Sequence, residues 1–123
     1  ANPDASARGA IESALAEQWI RLAPVPPSGL LTILLSSLHR GEAEAIALAV
    51  ERRAGIVLID EQEGRQTATR AGLAVTGVLG VLLRAKSRGE ISALKPEMTA
   101  LCDKARFFIA PALESRVLSL AGE

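Results

Sequence analysis

The run Ile56-Val57-Leu58-Ile59 constrains this chain more than any other stretch. It is short, rich in β-branched residues and without polar relief, the pattern of a strand buried on both faces of a parallel sheet. Ala54-Gly55 breaks the chain before it and Asp60 ends it. Upstream, Glu42, Ala43, Ile46, Ala47 and Val50 recur at helical spacing, which predicts a helix with one apolar stripe, closed at Arg53. Open α/β sheets place their ligand crevices at the carboxyl ends of parallel strands, so an acid at position 60 is a candidate functional group. Glu42 falls in the first turn of its helix, where the helix dipole favours a carboxylate. Each acid alone has a plain structural role available, Glu42 in helix-end electrostatics and Asp60 as a cap for the following helix. Together they point further. A helix antiparallel to the strand that follows it brings Glu42 over the end carrying Asp60, and two carboxylates in one crevice repel unless a positive charge sits between them. A hard divalent cation such as Mg²⁺, with its oxygen ligands and retained waters, meets that need.

Composition narrows the partners. At 123 residues, about half of them apolar, the chain supports one core and one domain spanning residues 1–123. Its formal net charge is zero, so any nucleic-acid contact has to come from a local basic patch. Cys102 is the single cysteine and His39 the single histidine, which leaves no internal disulfide and no zinc cluster and predicts a reducing, cytoplasmic setting. The apolar runs fall far short of the roughly 20 residues that span a bilayer, so no membrane association is expected. Trp19, Phe107 and Phe108 are the only aromatic residues, which argues against a stacking platform for single-stranded bases.

Taken in order, Asn2 and Pro3 suit a helix cap and first helical position, with Ile11, Ala14 and Leu15 marking the helix face. Trp19 to Leu22 alternates like a short strand, and Pro24, Pro26, Pro27 and Gly29 form a connector. Leu30 to Leu38, apolar almost all round, predicts a largely buried helix. His39 sits in the turn that follows, where a solvated loop role is commoner than a ligand or general base. Beyond Asp60, a helix from about Arg65 to Ala71 is stopped by Gly72, a strand at Leu73–Thr76 leads into Gly77, and a helix from Val78 stops at Gly89. Glu61 and Glu63 open the first of these helices and are either dipole complements or outer ligands of the same cation. A helix from Lys95 to about Arg106, a brief strand at Phe107–Ile109 and a helix from Pro111 to Leu120 complete the chain. The alternation predicts an α/β fold with a mainly parallel sheet of four strands and helices on both faces.

Residues 40–91 carry a signature, GE-x-EAI, then LID, then TG-x-LG-x-L, in that order. It resembles the DUF3368 group of PIN-domain-like proteins, with a weaker similarity running to the closing Leu118–Glu123. The resemblance implies a three-layer PIN-like fold and, for many such domains, Mg²⁺- or Mn²⁺-dependent ribonuclease activity, often as the toxin half of a bacterial or archaeal toxin–antitoxin pair. On the family pattern Glu42 matches an acid at a helix start and Asp60 the acid ending the next strand. The family pattern opens with a hydrophobic strand ending in aspartate and a helix bearing a further glutamate. On that pattern the chain is the C-terminal portion of a domain whose first strand is missing, and its site is half assembled.

Two functions follow from these expectations. The first is a metal-dependent endoribonuclease in which Glu42 and Asp60 are catalytic, Glu42, Asp60 and Glu63 hold the metal, and Arg40, Arg65 and Thr76 meet the RNA. The second is a non-catalytic PIN-derived module whose open sheet edge and Leu30–Leu38 helix, through Leu31, Leu34 and Leu35, form a homodimer or antitoxin interface. A small phosphate-handling domain of another kind finds no support, because no Gly-rich phosphate loop is present.

Overall fold

The computed structural model describes residues 3–123. Seven helices and two strands follow in the order α1 (Pro3–Ala16), α2 (Gly29–Leu35), α3 (Arg40–Arg52), β1 (Val57–Leu58), α4 (Gln62–Arg70), β2 (Val75–Thr76), α5 (Val78–Ser87), α6 (Lys95–Lys104) and α7 (Pro111–Leu120). The fold is α/β with a small parallel sheet, in which Val57 pairs with Val75 and Leu58 with Thr76. Helix α1 begins at the expected proline, while the proposed cap Asn2 lies outside the described residues.

Helix α2 starts where Ser28, in an extended conformation, accepts a hydrogen bond on its hydroxyl from the Leu31 amide at 3.0 Å. It ends at Leu35, earlier than the apolar run suggests, because the Ser36 hydroxyl turns back to donate to the Ile33 carbonyl. Only Leu31, Leu34 and, beyond the helix, Leu38 are buried; Leu30, Ile33 and Leu35 face outward. The expectation of a largely buried helix is thus corrected to a helix with one buried face. Leu31 and Leu34 belong to the core against α3 and are unavailable as a partner surface.

On α3 the predicted stripe is present through Ala43, Ile46 and Ala47, with Ala49 buried in place of the half-exposed Val50. Arg53 ends the helix in the left-handed region at φ 51°, and the Ala54 amide returns to the Ala49 carbonyl at 2.9 Å, a closure usually left to glycine. The small alanines let α3 lie close over Val57 and Ile59 of the sheet, in one cluster that also includes Ala68 of α4.

The strand after α3 departs from expectation on its second face. Val57 and Ile59 are buried, but Ile56 and Leu58 are 52% and 62% exposed. The reason is topological: α2, α3 and α4 cover one side of the sheet, and two strands alone leave the other side and the outer edge of β1 open. Trp19–Leu22 is no strand; Gln18 turns the chain at φ 64°, and Trp19 and Leu22 are 70% and 85% exposed with no ladder to join. Phe107–Ile109 alternates in burial without pairing. Ile109 points into a second cluster with Leu94, Met98 and Val117, Phe108 points outward, and the Phe107 amide bonds to the Leu101 carbonyl of α6. The four predicted strands therefore reduce to two among the described residues, because a period-two pattern of burial arises in extended coil as readily as in a ladder.

This second cluster, built from α5, α6 and α7, is tied off by Glu123. Its carboxylate accepts from the Leu94 amide at 2.6 Å and the Lys95 amide at 3.3 Å, at the amino end of α6, and pairs with Lys86 of α5 at 3.2 Å. The Leu94 bond, followed by those from Lys95 and Lys86, holds the carboxyl below its ordinary value of 4.5 against the opposing effect of burial. A depressed carboxyl contributes stability above its unfolded pKa, and that contribution fades as pH falls through the folded value. Glu123→Gln is therefore expected to lower the melting temperature at neutral pH and to converge on the parent as the pH falls below about 4. Parallel melting curves between about pH 3 and 7 would show that the clamp contributes nothing.

Candidate metal and nucleic-acid site

The carboxyl end of the sheet is where the chemistry collects. Because β1 and β2 are parallel, Asp60 and Gly77 leave the sheet side by side. Because α3 runs back over β1, its first turn lies above the same end. Gly41, Glu42 and Ala45 from α3 and Leu58, Ile59 and Asp60 from the strand line one pocket of about 210 Å³. The two acids of the sequence signature, 18 residues apart in the chain, share that pocket.

Their surroundings differ. Oδ1 of Asp60 accepts a hydrogen bond from the Val78 amide at 2.8 Å, so the carboxylate caps α5 across the sheet instead of capping α4. That leaves the second oxygen of an otherwise exposed carboxylate available to a ligand. Glu42 is half-buried, and its Oε2 is buried without a hydrogen-bond partner among the described residues. Leaving such an oxygen unsatisfied costs about 1–3 kcal/mol, more if it is charged.

Two glycines make the arrangement possible. A Cβ on Gly77 would stand 2.6 Å from Asp60 Oδ1 and 2.9 Å from an Arg65 guanidinium nitrogen, so a side chain here would displace the ends of both side chains. Gly64, in the interior of α4, would place a Cβ 2.9 Å from Ile59 Cγ2 and 3.2 Å from Glu42 Cγ. It lets α4 close against the glutamate stem. Sequence reasoning passed over Gly64, although a glycine inside a helix, where it costs roughly 0.5–1 kcal/mol against alanine, signals a close approach. Gly77→Ala is expected to push Asp60 off the α5 amide, and a Mg²⁺ titration should register weakened binding with the fold retained. Unchanged binding would mean the carboxylate relocates freely.

The other anticipated site residues are dispersed. Glu63 lines a separate hollow of about 250 Å³ with Ser37, Leu38, Gln66, Thr67 and Arg70, away from the Glu42–Asp60 pocket. Glu61 is exposed at the start of α4 and makes no side-chain cap. Arg40 is paired with Glu44 at 2.6 Å on the exposed side of α3. Thr76 ends β2 with its hydroxyl against Gly80, facing a hollow of about 870 Å³ beside α5. His39 precedes α3, exposed and without a side-chain cap bond. Arg65 alone among the predicted nucleic-acid contacts reaches the Asp60 neighbourhood.

Tested against a divalent cation, this donor set fits in part. Glu42 and Asp60 line one pocket, and carboxylate oxygens are the hard anionic ligands that Mg²⁺ or Mn²⁺ take. No group of three or more His, Cys, Asp or Glu side chains placed to hold a metal occurs among the described residues.

The fold is thus an α/β domain with Glu42 and Asp60 lining one pocket at the carboxyl end of a small parallel sheet. The family model of DUF3368, described as a PIN domain, matches residues 2–123, and the chain belongs to that family. No curated protein and no solved structure matches it. PIN domains as a class are associated with nuclease activity and nucleic-acid binding, typically with divalent-metal dependence. No helix among the described residues is long and apolar enough to cross a membrane.

Proposed function

We propose that this PIN domain is the core of a Mg²⁺- or Mn²⁺-dependent endoribonuclease of toxin–antitoxin type, acting in the cytoplasm, with Glu42 and Asp60 as its catalytic acids and metal ligands. The observation that carries the reading is the pocket that both acids line: Glu42, one oxygen of which is buried without a partner among the described residues, and Asp60, one oxygen of which is held by the Val78 amide. A bound cation would polarise the scissile phosphate and lower the pKa of an attacking water. The chain's own residues position it. Val78 fixes the Asp60 carboxylate, Gly64 lets α4 close on the Glu42 stem, and Arg65 offers a guanidinium to an incoming phosphate beside Gly77. Glu63, Thr76 and Arg40, which line other hollows or pair elsewhere, have no direct part in this scheme. A further strand on the open edge of β1, bearing an acid at its end, would complete both the three-layer fold and the ligand set.

Cleavage of a structured RNA with Mg²⁺ or Mn²⁺, compared with the same reaction in EDTA, tests the proposal. Cation-dependent scission supports it, and absence of scission by a chain carrying the complete acid set would sink it.

The second reading, a non-catalytic binding or oligomerisation module, is favoured by one observation. Ile56, Leu58, Val81, Leu83 and Leu120 line the 870 Å³ hollow on the uncovered side of the sheet. An antitoxin segment or a second copy of the chain would bury it. This reading predicts partner affinity that survives Asp60→Asn but not Leu58→Asp.

A further inference from the structure

The outward face of α4 carries Gln62, Arg65, Gln66, Thr69 and Arg70, at the i, i+3, i+4, i+7 and i+8 positions that share one side of a helix. Its opposite face, Gly64 and Ala68, is buried in the core. With Leu113 of α7 these five residues line a hollow of about 680 Å³. No carboxylate lines it. Gln66 and Arg70 also border the adjoining hollow that Glu63 lines, so one acid flanks the patch on that side. Within the hollow closed by Leu113 the two guanidiniums meet no carboxylate, and in a chain of zero net charge they make a local positive patch of the kind that nucleic-acid binding requires here. Neither arginine joins an ion pair among the described residues, whereas Arg8, Arg40, Lys86 and Arg88 each do.

The patch leads into the acidic pocket. The Arg65 guanidinium lies against Gly77, at the point that Asp60 Oδ1 also approaches. Arg70 stands five residues further along, about 7.5 Å of helical rise, so each arginine can serve a different phosphate. The Thr69 hydroxyl is turned back onto the Arg65 carbonyl at 2.9 Å, which leaves the amides of Gln66, between the cations, and Gln62, one turn before Arg65, as the uncommitted polar groups of the face. Amides both donate and accept and so suit a 2′-hydroxyl. No aromatic ring lines the hollow, so bases are not stacked there.

We infer that the Gln62–Arg70 face of α4 is the track for single-stranded RNA, gripping its sugar–phosphate backbone without reading sequence and delivering the strand to Asp60 past Arg65. This rests on the nuclease reading above and adds a surface to it.

The test is the salt dependence of binding of a fluorescent oligouridylate in EDTA, where cleavage is blocked. Each phosphate contact contributes about 0.7 to the slope of log K against log salt concentration for single strands. Arg70→Ala and Arg65→Ala are each expected to lower affinity and to flatten the slope by about 0.7, and Arg70→Glu to weaken binding further, while Arg8→Ala on α1 leaves the slope unchanged. Gln66→Ala is expected to narrow the preference for oligouridylate over its deoxy counterpart. An unchanged slope in Arg70→Glu, in a variant whose circular dichroism matches the parent, overturns the track, as does failure of the parent to bind RNA at low salt. Binding that depends on both arginines, with no scission once Mn²⁺ is added, upholds the track and counts against the nuclease reading alone.

Discussion

Asparagine at position 60 is expected to abolish cation-dependent RNA cleavage by at least about a hundredfold, since loss of even an outer-sphere partner of a metal costs about 10–100-fold. The fold should survive. Asparagine retains a side-chain oxygen where Asp60 Oδ1 accepts from the Val78 amide, so the amino end of α5 stays capped. Asp60→Ala removes both the charge and the cap and should cost an additional 0.5–2 kcal/mol, roughly, of stability. The two variants together separate the chemical role of the carboxylate from its structural one. Glu42→Gln gives the complementary result: it takes a charge off a buried oxygen without a partner, and is expected to raise the melting temperature in EDTA while removing the stabilisation that added Mg²⁺ gives the parent. Thermal melts with and without Mg²⁺, beside the cleavage assay, provide both readouts. Full cleavage by Asp60→Asn, or a Mg²⁺-dependent shift that persists in Glu42→Gln, would remove these acids from the site.

Ile46→Ala is expected to have the largest effect on stability. Ile46 is fully buried in the middle of α3, in the cluster formed with Leu31 and Leu34 of α2 and with Val57 and Ile59 of the sheet. Truncating such a side chain costs about 2–5 kcal/mol through lost transfer energy and the cavity left behind. For a domain of marginal stability this is a large fraction of the total, and a fall in melting temperature on the order of 10–20 °C should result. Ile46 lies one turn from Glu42 on the same helix, so slackening that contact should also weaken cation binding. Urea denaturation checks the first expectation; a loss below about 1 kcal/mol would mean that the α3–sheet contact is not the principal core.

The helices were legible because their signals are local. Pro3, Pro96 and Pro111 mark helix starts, and Gly72, Gly89 and Gly122 all adopt the positive φ that their place after a helix implies. The strands were less legible, since Trp19–Leu22 and Phe107–Ile109 have strand-like alternation but no neighbour to pair with. A strand is defined by its partner, and nothing within a five-residue window reports one. The same distinction separates the acids. Glu42 and Asp60 could be paired in advance because one helix and one strand, joined by a short break, place their ends together by connectivity alone. Glu63, also an acid and only three residues from Asp60, turns to another hollow because its direction is set by the rotation of α4 about its axis, which is decided by Gly64 closing on Glu42 and Ile59.

The sequence by itself determined the helix-rich α/β class, the family, and the carboxylate pair at the end of one strand, since each follows from residue type and spacing along the chain. Only the tertiary structure decided that the sheet has an uncovered side, that Asp60 caps α5, that an oxygen of Glu42 is buried without a partner, and that Arg65 and Arg70 share a hollow free of acids. Those facts depend on which surfaces meet across 18 residues or more of chain, and packing, a property of the whole set of contacts at once, settles them.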